Sequence, residues 1–414
     1  MAKFNELFRK VQEKEKLGSK KNYEIEFSTG FEVLDHYNGS LLPNGKCRLG
    51  VEGGRYLAIV GPSGSAKTTL GLQIGYSIVK KYDNGNIFLI DKERSTSPER
   101  FKNITGMSDE EYDDKVFHIR DEFYSETLYK LIRNLSRSKF EKFDEIKVQY
   151  LDKVTNTNID ILPPTVVIID SLPMLTPKES SGELGDGDNK DELDGNMVAA
   201  QIAKVNTAVF RKIIPLLDGA NIFLIVINHI STKIQINPYE KVTKQLNFMG
   251  QSEHLSGGKQ VIYLANYIFK LSPGKHLKPD DDFGIKGMIV NLELIKSRSA
   301  PAGTSFQMVF EQVNGYDNLL TCANYLWSNK CISGGGKASY IEGSKDNTFT
   351  KKSIKKALKK DKEFKKNFIK FTRVKMLENN VVSVSDRVKK ILKDRASDNS
   401  EEETTVKKSK KKKK

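Results

Sequence analysis

Cysteine is scarce in this 414-residue chain. Cys47, Cys322 and Cys331 are an odd number without metal-ligand spacing, which excludes a disulfide framework or a zinc site and fits a reducing compartment. No run of about 18 apolar residues occurs, so no membrane span is expected. The opening MAKFNELFRKVQEKEKLGSKK lacks the uninterrupted apolar core of a signal peptide, and a soluble, cytoplasmic protein is expected. Internal repeats are absent. What the chain does have is enough apolar content, 38%, to bury a core, and a formal charge of +15. The charge is local. Residues 1–350 hold 44 basic and 44 acidic side chains, whereas residues 351–414 hold 24 basic and 9 acidic, so a polyanionic partner is suggested by the tail alone.

Phe4, Leu7, Phe8 and Val11 recur at helical spacing, so residues 1–25 are expected to form an N-terminal helix, packed either on its own core or on a neighbouring subunit. Beyond it, short apolar runs alternate with helical patterns: RYLAIVG (55–61), NIFLID (86–91), PTVVIID (164–170), NIFLIVIN (221–228), VIYLANYIFKL (261–271) and GMIVNLELIK (287–296). Runs of four to eight apolar residues separated by helix-length segments predict an α/β core with a mainly parallel central sheet over residues 26–332. Two irregular segments, 178–196 and 230–258, interrupt it, and SGGGK at 333–337 reads as a linker. A basic helical region (333–396) and a disordered polylysine tail (397–414) complete the chain.

After RYLAIV comes Gly61-Pro62-Ser63-Gly64-Ser65-Ala66-Lys67-Thr68-Thr69, opening into a helical pattern. This is a phosphate-binding loop in all but one residue. Small residues let successive backbone N–H groups face one concavity, Lys67 reaches the β and γ phosphates, and Thr68 ligates Mg²⁺. Ala66 stands where glycine is usual, which matters if that position needs a glycine-only conformation. PTVVIID delivers Asp170 to the carboxyl edge of the sheet, where it could hold Mg²⁺ through water. NIFLID delivers Glu93 just past the same edge, where a carboxylate could orient the attacking water, with Asp91 a competitor for the role.

The ordered set GPSGSAKTT, LIDKE, VVIIDSLPMLTPKESSGELGD, IVINHIS, LSGGKQVIYLAN and LIKSRSA resembles the RecA-type recombinases, and within them the phage UvsX recombinases, across residues 25–315. A non-glycine before the loop lysine is shared with the UvsX group. The resemblance implies a RecA-like P-loop ATPase core using ATP and Mg²⁺. In it Glu93 is the catalytic glutamate, Asp170 the Mg²⁺-associated acid and His229 the residue sensing the γ phosphate; without the resemblance, His229 reads as a strand-end hydrogen-bonding residue.

The two irregular segments then correspond to DNA-binding loops. The second carries Lys233, Lys241, Lys244, Phe248 and Met249 and closes with Gly257 and Gly258, a mixture of cations and groups able to wedge or stack against bases. The first is strongly acidic and suits phosphates poorly; both segments could instead be plain surface insertions. Lys296 and Arg298, two apart in LIKSRS and so expected on one strand face, would reach a neighbour's γ phosphate. The N-terminal helix would dock on an adjoining subunit. Departures from the pattern are the lengthened segment 141–164, expected as a surface insertion, the basic C-terminus, and Arg100 or Phe101 where an adenine-stacking aromatic could sit.

The expected function is an ATP-dependent strand-exchange protein that forms helical filaments on single-stranded DNA and pairs it with homologous duplex. Single-strand-binding and loader proteins would assist it. The alternatives are a hexameric DNA helicase or motor on the same fold, or a recombination mediator that does not hydrolyse ATP.

Overall fold

The computed structural model describes residues 25–178, 195–232, 244–255, 258–280, 282–298, 300–335 and 338–392. The expected N-terminal helix with Phe4, Leu7, Phe8 and Val11, almost all of the acidic 178–196 segment, Lys233, Lys241, Gly257 and the tail 397–414 lie outside the described residues.

The chain is α/β, with a large, mostly parallel central sheet as expected. Its principal strands are β1 (Tyr56–Gly61), β2 (Asn86–Asp91), β3 (Val116–Ile119), β4 (Thr165–Asp170), β5 (Ile222–Thr232), β6 (Tyr267–Leu277), β7 (Gly287–Lys296), β8 (Thr304–Glu311) and β9 (Gly315–Tyr316). In space they run β9-β8-β7-β6-β1-β5-β4-β2-β3. Pairing is parallel from β6 through β1, β5, β4 and β2 to β3, and antiparallel through β7, β8 and β9.

The parallel strands read as unbroken apolar runs because both faces are covered. Along β1, Leu57 and Ile59 enter one core cluster while Tyr56, Ala58 and Val60 enter the other. On the first face packs helix α1 (Lys67–Val79), through Leu70, Leu72, Ile74 and Ile78. It approaches closely at Gly75, where a Cβ would sit 3.0 Å from Ile168 Cδ1. Two shorter helices, α2 (Pro98–Thr105) and α3 (Asp109–Lys115), follow β2. The second face is covered by α4 (Ser125–Glu141) and α5 (Gly195–Leu217), through Leu128, Ile132, Phe210, Ile213 and Leu217.

Two segments are more tied down than their composition suggests. In the insertion, Val148–Leu151 pairs with Asn158–Ile161 as a hairpin, and its buried Tyr150 donates a hydroxyl hydrogen bond to the Glu26 carboxylate at 3.1 Å. Ser333–Gly335, expected as linker, pairs with Ala338–Tyr340. Beyond this hairpin, α7 (Ile354–Lys360) and α8 (Lys362–Glu378) pack on the preceding helix, α6 (Asn318–Ser328), and their Ile354, Leu358, Phe364, Phe368 and Met376 join the first core cluster. Apolar residues at four-residue spacing give the lysine-rich region a buried face, and its lysines occupy the other. No helix among the described residues is long and apolar enough to cross a membrane.

Candidate nucleotide site

The loop from Gly61 to Thr69 joins buried β1 to the first turn of α1. Gly64 has φ 75° and Ala66 φ 58°, ψ 32°, so the position before Lys67 does require the left-handed region. Alanine adopts it there at an expense of about 1–2 kcal/mol relative to the right-handed form. Ser65 Oγ donates to the Pro62 carbonyl at 2.8 Å, and Lys67 Nζ donates to the same carbonyl at 2.6 Å. Burial pushes the Lys67 ammonium down to about 8, against the pull of Asp170 and Glu93.

Asp170 ends β4 beside this loop. Thr68 donates its hydroxyl proton to Asp170 Oδ2 at 2.8 Å, and Ser95 does so at 3.3 Å. Burial raises the Asp170 carboxyl to about 6; the Thr68 bond opposes this, and the nearby charges of Glu93 and Asp91 add to it. The buried Oδ1 of Asp170 has no hydrogen-bond partner among the described residues. A hard divalent cation takes oxygen ligands of this kind, and a buried carboxylate oxygen left without a donor beside the Thr68 hydroxyl fits Mg²⁺ well.

Glu93 and Asp91 have separated roles. Asp91 is fully buried and accepts from the N–H groups of Ser95 and Thr96, at 3.0 and 3.1 Å. Glu93 is partly exposed; its Oε1 accepts a hydrogen bond from the Ser171 hydroxyl and lies 3.0 Å from His229 Nε2. His229 stands opposite Gly61 in the β5–β1 register, which brings it to the phosphate loop, and its backbone N–H donates to Asn228 Oδ1 at 2.7 Å. Lys67, Thr68, Glu93, Asp170 and His229 therefore converge on one end of the sheet. Ser95 and Ser171 belong to the same cluster but escaped sequence reasoning, because serines after strand ends are common and carry no spacing signal.

Other candidates lie elsewhere. Strand β7 ends at Lys296, so Arg298 sits past it in a bend, and the same-face argument does not hold for it. Lys296 is level with Ile268 and hence with Ala58, two strands over and three residues before Gly61. That is about 10 Å across the sheet and about 10 Å toward its amino edge. Lys296 Nζ donates to the Tyr263 carbonyl at 2.9 Å, and the Arg298 guanidinium lies 3.8 Å from Glu52.

Met249, expected at a DNA-facing surface, is only 1% exposed and packs in the second core cluster with Leu246 and Leu255. Gln245 bonds the Leu255 backbone, accepting its N–H at 2.5 Å, and this holds the segment down on the strand Glu253–Leu255. Phe248 packs half-buried against the same cluster, Lys244 is exposed, and Gly258 has φ 97° beside Ala203. Phe101 is wholly buried against Tyr112, which removes it as an adenine-stacking group. Arg100 donates to the carbonyls of Gln312 and Val313 at 2.8 and 3.1 Å.

The chain is 28% identical over 291 residues to the protein named RecA from Caulobacter vibrioides strain NA1000 / CB15N, covering 69% of this chain and 64% of that protein. This chain is similar to RecA. The RecA of Mycoplasma mobile is 27% identical over 303 residues, 72% of each chain. The mitochondrial DNA repair protein recA homolog of Dictyostelium discoideum is 26% identical over 257 residues, 61% of this chain and 45% of that one. No family model matches. The chain thus spans less than two thirds of the length of the Caulobacter RecA. A RecA-type relationship accords with the mostly parallel sheet and with a tight strand-to-helix loop at its carboxyl edge.

Proposed function

We propose that the protein is an ATP-dependent DNA strand-exchange recombinase, nearest to the UvsX group. It assembles as a helical filament on single-stranded DNA, pairs that strand with homologous duplex and hydrolyses ATP to release the product. The observation that carries this reading is the meeting of Lys67, the Thr68–Asp170 pair and the Glu93–His229 pair at one sheet edge, in a chain similar to RecA.

In this reading Gly61, Ser63, Gly64, Ser65, Ala66 and Thr69 surround the phosphates, with backbone N–H groups and the start of α1 supplying donors. Lys67 meets the β and γ phosphates. Thr68 and Asp170 would hold Mg²⁺, which supplies charge neutralisation on the phosphate oxygens. Glu93 Oε1 orients the attacking water and takes its proton; His229 couples the γ phosphate to Glu93 and onward to the DNA-binding segment after β5. Lys296 and Arg298 serve the site of the next subunit, so hydrolysis requires assembly. Lys244, with Lys233 and Lys241, contacts phosphates of the single strand, while the lysine-rich C-terminus gathers duplex in a salt-sensitive way. Cytoplasmic single-strand-binding and loader proteins cooperate.

Electron microscopy of the protein with ATP and single-stranded DNA tests this reading. Extended helical filaments that Lys67→Ala fails to form are expected. Closed rings would favour a hexameric motor and overturn it.

A further inference from the structure

The turn that carries Glu93 is braced from the outer edge of the sheet. Asp91 Oδ1 and Oδ2 accept from the Ser95 and Thr96 N–H groups, closing a turn whose middle, Arg94, is held at φ 52°. Glu93 and Ser95 project from that turn toward the site, and Ser95 reaches Asp170. Asp91 is fully buried, so its charge has to be met by donors.

His118 on the edge strand β3 meets it. Its Nε2 lies 3.3 Å from Asp91 Oδ2, and its Nδ1 lies 2.9 Å from the Tyr112 hydroxyl. Arg120 Nε also lies 3.3 Å from Nε2 and would donate to it in the other tautomer; the buried carboxylate facing Nε2 favours a proton there instead, which leaves the Arg120 N–H to Asp91 and Nδ1 to accept from Tyr112. Burial raises the Tyr112 hydroxyl above its ordinary range, so it remains a donor. Tyr112 is itself fixed by α3, which begins in a reciprocal cap between Ser108 and Glu111. Arg120 adds a guanidinium 3.7 Å from Asp91 and a hydrogen bond to the Thr96 carbonyl. The carboxyl of Asp91 stays below its usual range: burial raises it, but the His118, Ser95 and Thr96 hydrogen bonds outweigh burial.

We infer that His118 is a positioning residue for Glu93, acting through Asp91 in a Tyr112–His118–Asp91 chain that fixes the turn from which the water-orienting carboxylate projects. This rests on the ATPase reading of the site. The phosphate loop hangs from β1, and the turn reaches Asp170 only through the long 3.3 Å Ser95 bond, so His118 acts mainly on the hydrolytic step and little on ATP capture. A purely structural histidine would affect stability and both kinetic constants together.

The test measures single-strand-stimulated phosphate release by the full chain, with kcat and KM for ATP and a melting temperature, for wild type, Lys67→Ala, His118→Leu, His118→Gln and Tyr112→Phe. Loss of the donor in His118→Leu is expected to lower kcat about tenfold to a hundredfold, as small misplacements of reacting groups do, with KM within about twofold. His118→Gln, whose amide can still donate to Asp91, should recover most of the loss. Tyr112→Phe should lower kcat severalfold at unchanged KM, and it decides the matter if His118→Leu fails to fold. An unchanged kcat, a KM that rises in step with the loss, or a glutamine variant no better than leucine would overturn the inference. If wild type and Lys67→Ala are equally inactive, the ATPase reading fails and His118's role falls with it; a wild type active through Lys67 beside normal His118 variants sinks the inference alone.

Discussion

Lys139 is a buried amine at the foot of the strand that carries Asp170. It is 7% exposed, donates to the Pro163 carbonyl at 2.6 Å and the Thr165 hydroxyl at 3.0 Å, and burial pushes it down to about 7 from 10.5. Between these two values the unfolded chain binds a proton that the folded chain does not, so stability rises with pH across that window. Below about 7 both states are protonated and the charge is carried into the interior at full expense. At about 1.4 kcal/mol per pH unit, tapering near the folded value, Lys139 should add about 2 kcal/mol to stability between pH 7 and pH 9. Lys139→Met keeps the chain length and removes the titration. Urea unfolding of wild type and Lys139→Met at both pH values isolates this contribution as a difference of differences. The wild type should gain about 2 kcal/mol more than the variant on going to pH 9. Parallel pH dependence in the two proteins would refute the reasoning, since it would mean that Lys139 is solvated or paired with a carboxylate in the folded state.

Asp170, raised to about 6 by burial, should make Mg²⁺-dependent nucleotide binding weaken as pH falls through that value, and Asp170→Asn should bind weakly at every pH; titration calorimetry from pH 5 to 8 reads both. Met249→Ala should destabilise the fold by about 2–5 kcal/mol as a core truncation, whereas exposed Lys244→Ala should leave the melting temperature unchanged and weaken single-strand binding. Mixing Lys296→Ala/Arg298→Ala subunits with inactive Glu93→Gln subunits should restore part of the DNA-stimulated hydrolysis, because intact sites then form between unlike neighbours; no recovery over either variant alone would rule out action in trans.

What could be read from sequence depended on how local the signal was. The strands announced themselves because two buried faces demand continuous apolar runs, as in TVVIID, and the tight strand-to-helix connection over residues 61–69 because its small residues mark it locally. Glu93 and Asp91 could not be separated by spacing, since only the burial of Asp91 and its bonds to Ser95, Thr96 and His118 commit it to the turn. Met249 misled because a methionine between lysines has the same composition in a DNA-facing loop as in a segment folded back on a core. Arg298 misled because strand alternation was carried two residues past the end of the strand. The tripeptide Ser333–Gly335 lacks side chains that favour a strand, and it is one only because Ala338–Tyr340 pairs with it. Such partners, distant or made by tertiary packing, leave no mark on a local pattern.

The most direct measurement is ATP hydrolysis by the full chain with and without single-stranded DNA, comparing wild type with Glu93→Gln. Wild type should hydrolyse ATP and do so faster on DNA. Glu93→Gln should still bind ATP while its hydrolysis falls at least about a hundredfold, the usual contribution of a positioned general base. Hydrolysis undiminished in Glu93→Gln, or a wild type that binds ATP yet does not hydrolyse it on DNA, would contradict the assignment of this site.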